Sequence, residues 1–192
     1  ETAAASIEGA HYAINFINKV GFAQGQHAMV YGATGAIGSA AVQILKHYGL
    51  IVTAVCNTAN VNKIKELGAD TVVDYTQEDY TNTTQRFSFV FDAVGKSSFN
   101  KCKSILVPNG FYISSELGAY GSNIWLSLFT PLFGGKKVKF PMPGAIQDSL
   151  HLIQKLLESG KFKPLIDRTY PLQEIVDAYE YVASGQKVGN VV

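Results

Sequence analysis

The chain has 192 residues, enough for one domain or one domain with part of another. Its composition, 47% hydrophobic and 16% charged, suits a globular protein with a substantial core. A net charge of +1, with no basic run longer than two residues, excludes an evident surface for nucleic acid or an anionic membrane. The most apolar stretch, 124–133, holds Pro131 and is too short to span a bilayer. Cys56 and Cys102 show no C-x-x-C spacing and are expected to be reduced thiols in a cytoplasmic protein.

Residues 1–20 read as a helix, with Ile7, Ala10, His11, Ile14, Ile17 and Val20 at helical spacing and Gly21 past its end. His11 is expected to be a packed or surface histidine. The stretch 28–48 organises the rest of the chain. A short apolar strand, 28–31, runs into a turn with Gly32, Gly35 and Gly38, and then into a helix whose Ile37, Ala41, Ile44, Leu45 and Tyr48 form one stripe. The spacing is A-x-G-x-x-G, with Ala33 in the first slot. Gly35 lets a backbone pass against a pyrophosphate, and Gly38 lets the helix pack on the strand. With Thr34 in the turn, the N–H groups of Ala36, Ile37 and Gly38 favour a bound anion. A strand before the turn, a helix after it and a second strand at 51–55 give the context a dinucleotide fingerprint requires.

The chain then repeats strand and helix. Thr58 or Asn60 caps a helix carrying Val61, Ile64 and Leu67, closed by Gly68. Strands are expected at 71–74, 87–94, 110–114 and 136–140, with a helix at about 98–106. Glu78 and Asp79 read as a solvated helix start, and Asn82-Thr83-Thr84 as a surface loop. This alternation predicts an α/β fold: a doubly wound (Rossmann), mostly parallel six-stranded sheet with helices on both faces. Between the last two strands, 118–135 is strongly apolar and either packs on protein outside this chain or lines an apolar pocket.

The character changes after Pro141-Met142-Pro143. A helix with Ile146, Leu150, Ile153, Leu156 and Leu157 ends at Gly160, a shorter one spans about 173–183, and 188–192 is strand-like with no partner of its own in the tail. The division is therefore a dinucleotide-binding domain with its lead-in helix, 1–140, and a C-terminal return, 141–192.

GATGAIGSAAVQ, LGADTVVDY, FDAVG, the glycine-led fifth strand and IDRTYPLQEIVDAYEYV followed by GNVV together resemble the medium-chain dehydrogenase/reductase superfamily. The closest likeness is to its zinc-free, quinone-oxidoreductase-like branch, often labelled zinc-type alcohol dehydrogenase. The resemblance covers nearly the whole chain. It implies a β-rich catalytic lobe ahead of this sequence, on which 141–192 would pack, and so a chain inactive alone. Zinc ligands and any proton donor would lie in that lobe. No metal ligand or catalytic residue is expected here, since His27, His47 and the cysteines lack metal-ligand spacing. The resemblance also places Val94 and Gly95 beside the adenosine ribose, Ser114 and Ser115 on the nicotinamide side, and Asn190 near the cofactor. A hydroxyl-capped strand end and a turn residue are the plain readings of the serines and of Asn190. Asp92 is expected to end its strand and order the turn after it.

Cofactor choice turns on the end of the second strand. It holds Cys56-Asn57-Thr58, with no carboxylate before Glu66 to accept from a ribose 2′-OH. Asn57, Thr58 and Asn60 can all donate to a phosphate. In related NADPH-dependent reductases a lysine stands at the place of Asn60 and a tyrosine at that of Tyr75; here the tyrosine is present and the lysine is not. Lys63 is a substitute or a solvated surface lysine. NADP(H) is expected ahead of NAD(H). The function implied is an NADP(H)-dependent oxidoreductase moving hydride between nicotinamide and a small-molecule quinone, enone, aldehyde or alcohol. A non-catalytic dinucleotide sensor and a zinc alcohol dehydrogenase with its metal in the other lobe are the alternatives. The open edge strand at 136–140, beside the apolar 120–133 segment, predicts a homodimer through 120–140.

Overall fold

The computed structural model describes residues 1–141, 144 and 146–192, so Met142 and Pro143 of the expected boundary lie outside the described residues. The β-branched and aromatic runs form β1 (His27–Tyr31), β2 (Ile51–Cys56), β3 (Thr71–Asp74), β4 (Phe87–Asp92), β5 (Leu106–Ser114) and β6 (Lys137–Lys139). They pair in parallel in the order β3-β2-β1-β4-β5-β6, which is the doubly wound arrangement with its reversal between β1 and β4. The expected six-stranded parallel sheet is present. β5 starts four residues earlier than its sequence pattern suggested, and its register against β4 shifts between Phe87 and Phe89.

Period-two alternation sends successive side chains to opposite faces. On one face Ala28, Val30, Val52, Ala54, Phe89, Phe91 and Ile113 share a core with α1 (Thr2–Ile17), α2 (Ala36–His47), α3 (Val61–Glu66) and α6 (Ile146–Glu158). On the other, Met29, Val55, Val90, Tyr112 and Val138 are covered by α4 (Phe99–Cys102), by Leu126 of α5 (Ser122–Phe129) and by Tyr80. This second layer is thinner, because no helix forms between β3 and β4. Asp79 Oδ1 accepts from the N–H (2.9 Å) and hydroxyl (2.8 Å) of Thr81, and this local turn replaces the helix start expected at Glu78.

The tail holds β7 (Ile166–Arg168), α7 (Ile175–Ala183) and β8 (Asn190–Val191). β8 pairs in parallel with β7, so the chain end does have a partner within the tail. A three-residue strand is too short to show alternation, which is why β7 escaped the sequence reading. This C-terminal segment also joins α2 and the glycine turn directly. Gln43 on α2 accepts from Lys163 N (2.9 Å) and donates to Lys163 O (3.0 Å), and Gly189 N donates to Thr34 O (2.7 Å).

Candidate functional site

Where the chain reverses direction across the sheet, the loops after β1 and β4 diverge and leave a crevice. A cleft of about 830 Å³ opens there, with Thr34, Gly35, Asn57, Asn60, Tyr75 and Val94 on its walls. The glycine turn explains its floor. A Cβ on Gly38 would lie 2.2 Å from Gly32 O, so that glycine is needed for α2 to pack on β1. A Cβ on Gly35 would meet nothing nearer than Gly32 O at 3.7 Å. Packing leaves the space over Gly35 free for a ligand. The first amide bonded within the helix is that of Ser39, on Gly35 O at 2.9 Å. Ala36, Ile37 and Gly38 therefore begin a twelve-residue helix with their N–H groups directed out of its start. α1 holds this end in place: a Cβ on Gly9 would stand 2.6 Å from Ala36 O.

The β4 wall is set by Asp92, which is fully buried. Its Oδ1 accepts from Val94 N (3.2 Å), and its Oδ2 from Ser97 N (2.9 Å) and the Tyr112 hydroxyl (3.0 Å). Burial, then the Asp92 charge, push the Tyr112 phenol far up, so it stays a donor. Asp92 thus orders the turn holding Val94 and Gly95, as expected. At the end of β2, Asn60 Nδ2 donates to Asn57 Oδ1 (2.6 Å), which leaves the Asn57 amino group as the donor for the cleft. Half-exposed Tyr75 packs on Tyr31, with ring centres 6.4 Å apart. Thr58 is turned to Asp74 instead: its hydroxyl donates to Asp74 Oδ2 and lowers that carboxyl.

Ser114 and Asn190 also have other duties. Ser114 is buried on the face of Tyr112, and its hydroxyl accepts from Glu116 N (3.2 Å). Asn190 Nδ2 donates to Leu165 O (2.9 Å), and the residue does not line the cleft. Ser115, one position on and facing the other way, lines a cavity of about 290 Å³ with Ile37, Ala93, Asn15 and Phe140. Its Oγ is buried with no hydrogen-bond partner among the described residues. Alternation along β5 would have selected Ser115 over Ser114, since Phe111, Ile113 and Ser115 share the face of Ile37. Lys96 and Lys187 also line the cleft and carried no motif that marked them. Lys187 Nζ is held on Gly189 O at 2.9 Å. Lys63 lines a separate surface pocket. Among the described residues no carboxylate lines the cleft. Cys56 does line it, but burial and then Asp74 push its thiol up to about 11, which keeps it unreactive.

An open glycine turn at a helix start, a cleft without a carboxylate among the described residues, and an orphaned hydroxyl beside a cavity with Ile37, Ala93 and Phe140 on its walls fit a dinucleotide. Among the described residues no group of three His, Cys, Asp or Glu side chains could hold a metal, and no helix is long and apolar enough to cross a membrane.

Known proteins resemble this chain in sequence and in fold. The NAD(P)H oxidoreductase RTN4IP1, mitochondrial, of Mus musculus is 30% identical over 92% of this chain and 51% of its own length. A 2-methylene-furan-3-one reductase of Solanum lycopersicum is 30% identical over 92% of this chain and 42% of its own. The chain thus spans about half the length of these curated relatives. Among solved structures, a thermostable alcohol dehydrogenase from Pyrobaculum aerophilum matches with a TM-score of 0.76 and 27% identity over 95% of this chain and 54% of that one. The quinone oxidoreductase from Coxiella burnetii, at 22% identity, shares the fold with a TM-score of 0.81, over 96% of this chain and 57% of that one. The zinc-binding dehydrogenase family profile matches residues 67–192, and the chain belongs to that family.

Proposed function

We propose that this chain is the cofactor-binding part of an NADP(H)-dependent oxidoreductase. The observation that carries the choice of NADP(H) is the cleft wall: two lysines, two asparagines and two tyrosines, with no carboxylate among the described residues. A 2′-phosphate meets donors and positive charge there, whereas the acceptor that reads a 2′-OH is missing. Gly35 and the amides of Ala36, Ile37 and Gly38 would hold the diphosphate. Asn57, Asn60 and Tyr75 would hold the phosphorylated ribose, beside Val94 and Gly95. Ile37 and Ala93 offer an apolar wall for the nicotinamide, and the Ser115 hydroxyl a hydrogen bond for its carboxamide. The bound cofactor supplies the hydride-exchanging carbon, and this chain binds and orients it.

Small carbonyl compounds are the proposed substrates. The names of the tomato relative and of the NADPH-dependent alkenal/one oxidoreductase of Arabidopsis thaliana favour enones within that class. Both cysteines are buried free thiols, which fits a reducing compartment, cytoplasm or organelle matrix alike. Calorimetric titration of the chain with NADPH and NADH tests the reading: NADPH should bind more tightly, and tighter NADH binding would overturn the phosphate argument.

The homodimer through 120–140 is part of the proposal. Trp125, Leu128, Phe129, Leu132 and Phe133 are all exposed beside edge strand β6. The contact is assigned to these side chains rather than to strand pairing, because the Val138 N–H is already taken by Thr130 Oγ1 at 2.9 Å. Sedimentation should show a dimer that Phe133→Glu dissociates; a monomeric wild type would sink the idea.

A further inference from the structure

One wall of the cleft does not come from the sheet domain. Val182, Gly185, Gln186, Lys187 and Val188 line it, all from the end of α7 and the loop beyond. This wall has little apolar anchorage: none of the nine residues of α7 is buried. Polar contacts hold it instead. Gly189 N is bonded to Thr34 O, and Gly189 bridges to Gly35, at the glycine turn itself. At the other side Asp167 Oδ2 accepts from both the Tyr181 hydroxyl (2.7 Å) and Val188 N (2.9 Å). The Arg168 guanidinium lies 3.7 Å from the centre of the Tyr181 ring. A single carboxylate on β7 therefore ties together the two ends of the loop 182–187. Burial opposes its charge, but the Tyr181 and Val188 hydrogen bonds and the Arg168 and Lys63 charges hold Asp167 below the usual carboxylate range.

We infer that Asp167 is a positioning residue for the cofactor cleft: it docks the 182–188 segment as a wall beside the glycine turn, so that dinucleotide binding and docking of this segment are coupled. This rests on the dinucleotide function proposed for the cleft. A ligand touching the docked wall binds the docked state better and so stabilises it, and the coupling is reciprocal. Asp167 itself does not line the cleft; it acts through Tyr181 and Val188.

The test compares wild type, Asp167→Ala and Asp167→Asn by calorimetric titration with NADPH and NADH. Amide hydrogen exchange across 181–192 is read with and without NADPH. In the alanine variant, exchange at 184–187 should rise about tenfold without ligand and both dissociation constants should rise about tenfold. Saturating NADPH should restore slow exchange. The asparagine variant keeps a carbonyl acceptor and should fall between, which preserves the test if the alanine variant fails to fold. Faster exchange with unchanged dissociation constants would make the contact merely structural and overturn the proposal. Weaker binding with unchanged exchange would overturn it as well. A wild type that binds neither nucleotide removes the dinucleotide reading, and this proposal with it.

Discussion

α2 and α7 border the same cleft, yet eight of the twelve residues of α2 are buried and none of the nine of α7. The first helix is fixed by its apolar stripe against β1 and α1, so the glycine turn before it is rigid. The second lies on the rim and depends on a few hydrogen bonds. One cleft thus has a floor held by burial and a wall held by polar contacts, and opening should be concentrated in the wall.

The largest effects should come from two glycines of the floor, and they should differ in kind. Gly38→Ala sets a methyl 2.2 Å from Gly32 O and 2.9 Å from the Ala33 Cα, both backbone atoms that cannot move aside. It should cost about 3 kcal/mol of stability, read as a lower denaturant midpoint. Gly35→Val adds its side chain into open space. Its folding should change by less than about 1 kcal/mol while NADPH affinity falls at least about a hundredfold. A folded Gly35→Val protein with unchanged affinity would remove the central assignment.

A medium effect should come from the joint between the two regions. Buried Gln43 both accepts from and donates to the Lys163 backbone. Gln43→Leu keeps the apolar bulk but orphans both groups, at a cost of about 2 kcal/mol. Exchange should quicken across 163–192 far more than in β1 and β2. Uniform loosening of both regions would show that the tail is not a separate unit.

The floor was legible in the sequence because its determinants are local. The strand, the A-x-G-x-x-G spacing and the stripe from Ile37 to Tyr48 lie within twenty-one residues, and the order of strands follows from the alternation. The wall was not legible. Lys187 and Val188 reach the cleft because Val188 N is bonded to Asp167 and Gly189 N to Thr34, both distant in sequence, and no periodicity records such pairings. Ser114 and Ser115 both stand at the end of β5, and only period two separates them, since Ser115 shares the face of Ile113 and Ile37. Thr58 looked free to donate, but its hydroxyl is committed to Asp74, sixteen residues away.

The smallest expected effect sharpens the contrast by pH. In the sheet domain Lys46 Nζ lies 2.8 Å from both Asp70 oxygens, and Asp70 Oδ2 accepts from Val52 N at 2.7 Å. Burial alone would raise the Asp70 pKa, but the Lys46 and Val52 hydrogen bonds and the Lys46 charge lower it. With side chains 31% and 38% exposed, solvent screens the pair, and Asp70→Asn should cost only about 0.5 kcal/mol at neutral pH. A depressed carboxylate stabilises above its unfolded pKa, about 3.9, and loses that contribution as pH falls through the lower folded value. The wild-type and Asp70→Asn denaturant midpoints should therefore merge in acid, and should approach each other at 1 M salt. Asp167 is depressed in the same sense, so its hold on the wall is also lost as pH falls through its folded value. In acid, protection at 184–187 relative to the intrinsic exchange rate should fall, while the amides of β1 and β2, held by burial, stay protected. Parallel loss of protection in both would show that wall and floor are held by the same forces.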